Sequence, residues 1–306
     1  MLTKEPGMKS PELEELVAAL RRSRDVFPSS ISMRRSFQTL QAEKVPIPEG
    51  LKVETLTVGN RPADRLSFAE HNHDDGALLY LHGGGYSLCS PFTHRALAAN
   101  LGRASGLNAL VPDYRLAPED PFPAAIDDAV AAYRWLLDQN MQPERIVIAG
   151  DSAGGGLTLA TMLTLRDAGD PLPSAAALIS PWTDLAMTGE SITTRQQDDP
   201  MLYRSGLEEH AEMYLGDRDR NHPLASPLYA DLTGLPPLII HVGTAEILVD
   251  DATRLADRAQ AAGVEVSLHL YEDMMHVWHY FSGMLPESEK AIEQIGQFLK
   301  AKLDDE

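Results

Sequence analysis

The chain has 306 residues, of which 43% are hydrophobic and 23% charged, as is usual for a globular protein. Its formal net charge of −19 argues against a nucleic-acid partner, because binding to phosphate backbones relies on clustered Lys and Arg. The single cysteine excludes an intrachain disulfide, and no apolar run approaches the roughly 18 residues of a membrane span. The N-terminal sequence shows no secretory signal, so we expect a cytoplasmic protein.

Residues 1–50 are predicted to be helical and to pack as a layer separate from any sheet. Ser10 can cap a helix that has Pro11 in its first turn. Apolar residues then recur at helical spacing (Leu13, Leu16, Val17 and Leu20). A second helix is predicted around Met33, Phe37 and Leu40, and a Pro- and Gly-containing stretch ends this region near residue 50.

Residues 51–306 have the pattern of an α/β domain. The segments LKVETLTV and ADRLSFAE, joined by a short Gly-Asn turn, predict an antiparallel pair of strands. After them, buried apolar strands alternate with amphipathic helices, which predicts a mostly parallel twisted sheet with helices on both faces. The strand candidates are ALLYLHG, NALVPDY, RIVIAGD, AALISPW, PLIIHVG and VSLHLYE.

A long polar stretch at about residues 184–224 interrupts this alternation. It contains prolines and a single predicted helix at about residues 207–214. Connections of this length inside an α/β domain are usually lids or other functional excursions.

A candidate nucleophile lies between a predicted strand and a predicted helix. The sequence GDSAG follows the strand RIVIA and has the form G-x-S-x-G with Ser152 at its centre. In a nucleophile elbow the flanking glycines relieve crowding, so that the serine hydroxyl is exposed at the sheet edge. The helix that follows directs backbone N–H groups and a positive dipole end at the site.

A glycine-rich sequence, HGGGY, follows the strand ALLYL. Successive glycines allow the backbone to turn its N–H groups toward a ligand, which is the arrangement that binds the negative oxygen of a tetrahedral intermediate. We interpret His82, at the start of this sequence, as a structural residue.

A serine nucleophile requires a base and a carboxylate that orients the base. When an elbow carries the serine, the acid and then the histidine follow it along the chain. His276, in the loop after the last predicted strand, is the favoured base; His279 is its rival, and His269 lies inside the strand. Glu246 is the favoured acid because it is nearest the end of the preceding strand, with Asp250 and Asp251 as alternatives.

Several motifs in a fixed order carry a family resemblance. HGGGY, DYRLAPED, PFPAAIDD, GDSAGGGL, SPW and HVWHYF succeed one another from about residue 51 to the C-terminus. The chain resembles the hormone-sensitive-lipase-like esterases, also called bacterial family IV, in the branch with GDSAGG around the nucleophile. The resemblance implies the α/β-hydrolase fold, with Ser152 as nucleophile and His276 as base. It also implies the backbone N–H groups of Gly84, Gly85 and Ala153 as the oxyanion hole.

The acid departs from the family pattern, which usually has Asp in a D-P-L motif where this chain has Glu246-Ile247-Leu248. The resemblance further implies that residues 1–50 and the insertion at about 184–224 form a cap over the active site. It implies structural roles for Tyr114, Arg115 and Glu119 beside the oxyanion hole.

The resemblance implies a carboxylesterase that acts on small-molecule esters with short to medium acyl groups, without metal or cofactor. Hydrolysis of lactones, including monoterpene-type lactones, is the alternative. A non-catalytic small-molecule receptor is a third possibility, since plant gibberellin receptors share the family but lack the catalytic histidine. A homodimer through the final strand and helix is also expected.

Overall fold

A computed structural model describes residues 2–5, 10–24, 30–72 and 76–304. Nine strands are found among these residues, and they form one mixed sheet with the order β1-β9-β8-β7-β6-β4-β5-β3-β2. The strands are β1 (Leu2–Glu5), β2 (Lys52–Val58), β3 (Arg61–Ser67), β4 (Ala77–Leu81), β5 (Asn108–Pro112), β6 (Ile146–Asp151), β7 (Ala175–Ile179), β8 (Leu238–Gly243) and β9 (Val266–Tyr271).

The helices in the same described ranges are α1 (Pro11–Arg24), α2 (Ile31–Ala42), α3 (Pro91–Ser105), α4 (Ala124–Asp138), α5 (Ala153–Ala168), α6 (Ser191–Thr194), α7 (Arg204–Leu215), α8 (Val249–Ala261) and α9 (Pro286–Asp304). None of them is long and apolar enough to span a bilayer.

Helices cover both faces of the sheet. Along β4, Leu79 and Leu81 belong to the core shared with α4, α5 and α8, whereas Leu78 and Tyr80 belong to the core shared with α3 and α9. This division follows from the alternation of side chains along a strand. The central strands β4, β6, β7 and β8 are buried along their whole length, which explains why they are continuous apolar runs.

The central strands run parallel to one another, and so their carboxyl ends meet at one edge of the sheet. The loops that follow β4, β6, β7 and β8 therefore lie side by side, and they contain the motifs HGGGY, GDSAG, SPW and the Glu246 segment. Clefts at the carboxyl ends of parallel strands are the usual ligand sites of open α/β sheets.

The N-terminal region differs in part from the predicted separate helical layer. Residues 2–5 form β1, which pairs in parallel with β9 and extends the sheet by one strand. A four-residue edge strand is too short to show a periodicity, so its pairing depends on the edge that β9 presents. Helices α1 and α2 have the predicted character, while residues 1, 6–9 and 25–29 of the predicted layer lie outside the described residues.

Candidate active site

Ser152 occupies a sharp turn between β6 and α5. Its backbone has φ = 54°, a conformation that is unfavourable for a residue with a Cβ. The turn is held by main-chain hydrogen bonds: Ser152 N–H donates to the Ile179 carbonyl at 2.8 Å, and the Ser152 carbonyl accepts the Trp182 N–H at 2.9 Å. A Cβ at Gly154 would collide with the Leu81 carbonyl, so only glycine lets α5 pack this closely on the end of β4.

Glu246 and His276 are joined by a hydrogen bond in the loops after β8 and β9. Glu246 Oε2 lies 2.7 Å from His276 Nδ1. The other carboxylate oxygen accepts the Gly243 N–H at 2.7 Å and the Ser180 hydroxyl at 2.9 Å. Both side chains are buried, and each oxygen of the carboxylate is bonded to at least one group of fixed position.

The charge of Glu246 controls the protonation of His276. Burial alone would lower the pKa of His276, but the hydrogen bond and the negative charge of Glu246 outweigh burial and raise that pKa above its ordinary value. Asp199 contributes in the same direction. The imidazole is thus more basic than an isolated buried histidine.

Residues 82–89, which we call the glycine loop, adopt an unusual backbone. Gly84, Gly85 and Tyr86 all have positive φ, at 110°, 60° and 59°. Two consecutive glycines are required for such a path, because an L-residue pays a steric penalty at each position. Asp151 fixes the start of the loop, accepting the Gly83 N–H at 3.0 Å through Oδ1.

Ala153 is the first residue of α5 and directly follows Ser152, at the helix end where backbone N–H groups lack intrahelical partners. The glycine loop and this helix start are in contact, since a Cβ at Gly154 would also lie 2.6 Å from the His82 carbonyl oxygen. The start of the glycine loop thus lies against the start of α5, next to Ser152.

The protein is similar to a hydrolase family and to individual hydrolases in both sequence and structure. A family model described as alpha/beta hydrolase fold matches residues 78–280. An acetyl-hydrolase of Streptomyces hygroscopicus is 47% identical over 299 residues, which is 96% of this chain and 97% of the relative. A crystal structure of an esterase from the bacterial hormone-sensitive lipase family is 45% identical with a TM-score of 0.93, covering 97% of this chain and all of that one.

The chain belongs to the hormone-sensitive-lipase-like family of α/β-hydrolases. It is a carboxylic-ester hydrolase, as its relatives are. A crystal structure of EstE5 soaked with p-nitrophenyl butyrate is similar as well, at 43% identity and a TM-score of 0.92 over 97% of this chain and all of that one.

The rival histidines of this esterase lie in other environments. His279 Nε2 is 3.1 Å from His241 Nδ1, and burial lowers the pKa of His279 to about 3. His269 lies within β9, with its Nδ1 3.2 Å from Glu5 Oε1. His82 is buried in the glycine loop, where its ring stacks on Tyr114 with 4.2 Å between centroids.

The other two candidate carboxylates bind main-chain N–H groups of the segment that follows β7. Asp250 Oδ2 accepts the Ser191 N–H at 2.8 Å. Asp251 Oδ2 accepts the N–H groups of Thr183 and Asp184, each at 2.8 Å. Both residues lie in the first turn of α8, and of the three candidates it is Glu246 that the structure brings into contact with His276.

Two residues of the site were not predicted from the sequence. The Ser180 hydroxyl donates to Glu246 and accepts the Val277 N–H at 3.1 Å, so it connects the acid to the segment that follows His276. Asp199, in the insertion, accepts the Ile247 N–H at 3.0 Å. Ser180 begins the SPW motif and could have been found from it, whereas no sequence pattern identifies Asp199.

Proposed function

We propose that this esterase hydrolyses esters of short to medium acyl chains through a triad of Ser152, His276 and Glu246 and an acyl-enzyme on Ser152. The observation that carries the proposal is the 2.7 Å hydrogen bond between His276 Nδ1 and Glu246 Oε2. A carboxylate can only accept there, so Nδ1 holds the proton and Nε2 keeps a free lone pair. That tautomer is the one a serine hydroxyl requires of its base.

In the first half-reaction Ser152 Oγ attacks the ester carbonyl carbon while its proton passes to His276 Nε2. Glu246 stabilises the imidazolium that forms and does not itself take the proton. The negative oxygen of the tetrahedral intermediate is bound by the N–H groups of Gly84, Gly85 and Ala153, each contributing about 2.7–4 kcal/mol by analogy with other oxyanion holes. His276 then protonates the leaving alcohol.

In the second half-reaction water takes the place of the alcohol. His276 accepts a proton from the water as the water oxygen attacks the acyl-enzyme carbonyl, and the same N–H groups bind the second oxyanion. Return of the proton to Ser152 Oγ releases the carboxylic acid. The chain's own residues supply each proton transfer in this cycle.

Two kinds of observation support short to medium acyl groups. The relative from Streptomyces hygroscopicus is named an acetyl-hydrolase, and EstE5 was soaked with a butyrate ester. In this chain, helices α1 and α2 and the insertion contact the loops of the site. Leu13 of α1 packs with Met275 in one cluster, and Asp199 bonds the segment after Glu246. We infer that these regions form a cap that limits the space for long chains.

The test is hydrolysis of p-nitrophenyl esters from acetate to laurate by the wild type and by three variants, Ser152→Ala, Glu246→Ala and Asp250→Ala. We expect no measurable turnover for Ser152→Ala, a loss of several orders of magnitude for Glu246→Ala, and a minor loss for Asp250→Ala. The highest rates should fall on short esters. Greater damage from Asp250→Ala would refute the acid assignment.

A second measurement separates the esterase from its alternatives. An organophosphate should label Ser152 in the wild type, as shown by the mass of the tryptic peptide, because His276 activates the hydroxyl. A labelled protein that hydrolyses none of the esters would move the proposal to lactones. A folded protein that resists labelling would support a receptor and contradict the triad.

A further inference from the structure

Ser87, in the glycine loop, is held from outside the hydrolase core. The residue is fully buried and lies two positions after Gly85. Its hydroxyl is 2.6 Å from His210 Nδ1 on α7, and its carbonyl accepts the Arg35 Nε–H on α2 at 2.8 Å. One residue of the loop thus receives one contact from α2 and another from α7.

Arg35 binds both the glycine loop and the segment that packs against it. Its terminal nitrogens donate to the Ala117 carbonyl and to both oxygens of Glu119, all at 2.8 Å. The Ala117 N–H in turn donates to the Tyr86 carbonyl at 2.9 Å. The planar guanidinium therefore spans several acceptors whose positions determine the path of the loop after Gly85.

His210 also contacts the loop at Gly85 itself. A Cβ at position 85 would lie 2.7 Å from His210 Cγ, so the ring lies directly over this glycine. Four residues further along α7, the Tyr214 ring stacks on Tyr86 with 3.9 Å between centroids and 4° between planes. One face of α7 is thus fitted to the loop from Gly85 to Ser87.

The backbone of the loop needs such support. Gly84 and Gly85 adopt positive φ at no steric cost, so the strain of this stretch falls on Tyr86, and strained backbone persists only where the surrounding structure overdetermines it. Asp151 holds the loop at Gly83, before the strained stretch. Directly after it, the side chains that bind Ser87 are those of Arg35 and His210.

We propose that Arg35 and His210 are positioning residues that set the oxyanion-binding geometry of Gly84 and Gly85 through Ser87. The packing of α2 and α7 on the glycine loop then determines the catalytic rate. The inference rests on the proposed function, because it takes these N–H groups as the oxyanion hole. A displacement of about 1 Å of such groups can reduce a rate about 100-fold. The effect should fall on kcat more than on KM, since the oxyanion forms only after the substrate has bound.

The chain offers a matched control beside these residues. Arg34 Nη1 lies 2.8 Å from Glu209 Oε2, and this ion pair joins α2 to α7 at the positions adjacent to Arg35 and His210. This ion pair connects the same two helices. Glu209→Ala therefore weakens the contact between the helices and leaves the bonds to Ser87 in place.

The experiment compares Arg35→Ala, Arg35→Lys, His210→Ala, Ser87→Ala and Glu209→Ala with the wild type on p-nitrophenyl butyrate. We expect kcat to fall about 10- to 100-fold for Arg35→Ala and His210→Ala, with KM within about threefold. Arg35→Lys should recover part of the loss, because lysine can replace only some of the donors. Ser87→Ala removes the hydroxyl alone, so its kcat should lie between the kcat of these variants and that of Glu209→Ala. Glu209→Ala should keep the kcat of the wild type.

Affinity for a boronic acid, which forms a tetrahedral adduct with a nucleophilic serine, provides the second readout. It should weaken in parallel with kcat across the series, because the adduct places an oxygen where the oxyanion forms. If Arg35→Ala and His210→Ala lower only the unfolding temperature and match Glu209→Ala in kcat and boronate affinity, the inference is wrong. Failure of the proposed function gives a different result: the wild type would then bind the boronic acid no better than Ser152→Ala does.

Discussion

At His276 two opposing influences act on one imidazole. Burial favours the neutral ring, while the hydrogen bond and charge of Glu246 favour the protonated ring and prevail. The carboxylate is itself fixed by Ser180 and Gly243, so it cannot turn away when the imidazolium discharges. A base held in one orientation with an enhanced basicity fits the proposed role of His276.

The pH profile of the esterase should reflect this balance. In the proposed mechanism His276 must be neutral to accept the serine proton. Because the pKa of His276 is raised, kcat/KM should fall as the pH drops through a value above 6.5. Glu246→Gln removes the charge, so the acidic limb should move to lower pH, and the rate should fall by about 10³- to 10⁴-fold. Initial rates from pH 5 to 9 test this; an unmoved limb would contradict it.

Asp251 leads to a prediction about stability. Burial raises the pKa of Asp251 to about 8, whereas the unfolded carboxyl titrates near 4. The folded state therefore binds more protons between these values, and this group's contribution to the free energy of unfolding falls as the pH rises from about 4 to about 8. In the Asp251→Asn variant this side chain cannot titrate. The free energy of unfolding of the variant should therefore rise relative to that of the wild type over the same pH interval.

Urea unfolding of both proteins at several pH values between 5 and 9 measures the difference. A difference that stays constant across the series would show that Asp251 does not titrate in this range. The variant should also retain most of its esterase activity, because Asp251 binds the N–H groups of Thr183 and Asp184 and not His276.

Asp199 binds the insertion to the loop after β8 that contains Glu246. One carboxylate oxygen accepts the N–H groups of Met201 and Leu202, each at 2.8 Å, and the other accepts the Ile247 N–H at 3.0 Å. The side chain is fully buried, so none of these three donors can turn to water instead. Asp199 thus joins the insertion to the segment that follows β8.

Replacing Asp199 by Asn should disturb this connection. An amide offers one oxygen, so its NH₂ group must face either Ile247 N–H or the other pair, which leaves a buried donor unsatisfied. We expect a loss of about 1–3 kcal/mol in the free energy of unfolding, together with reduced kcat. Asp198→Asn is the control, because Asp198 forms an exposed ion pair with Arg195 and its loss should change little. Equal effects in urea unfolding would contradict the role of Asp199.

Across the whole molecule, the edge of the sheet beyond β9 is closed by β1. Leu2 is in register with Leu268 and Glu5 with Tyr271, and Glu5 also reaches His269. The predicted homodimer through the final strand stays a prediction. Since β1 occupies the outer edge of β9 within the described residues, strand pairing between copies at this edge of the sheet would use β1 and not β9.

A truncated chain that starts at Ser10 should therefore behave differently from the full chain. Without β1 the N–H and C=O groups of β9 are unpaired, and exposed strand edges promote association. We expect a lower unfolding temperature, by about 2–4 °C for each kcal/mol lost, and more self-association in sedimentation velocity. Glu5→Gln, which keeps the main-chain pairing, is the control. Unchanged sedimentation of the truncated chain would contradict the prediction.

The sequence by itself determined the α/β class, the family and the esterase chemistry. Apolar strands alternating with helices depend on side-chain periods that are local along the chain, and β4 to β9 were found in this way. The elbow and the glycine-rich motif are recognisable because each needs special residues at fixed spacing for a steric reason. Which residues belong to the proposed triad was likewise inferred from chain order.

Only the tertiary structure decided which carboxylate meets His276 and what holds the glycine loop. Glu246, Asp250 and Asp251 are close neighbours in sequence, and the direction of each side chain depends on the turn before α8 and on partners such as Ser180 and Thr183. Asp199, Arg35 and His210 act across more than forty residues of chain, and β1 pairs with a strand at the other end of it. Such contacts arise from the packing of distant segments, for which a single sequence has no local signal.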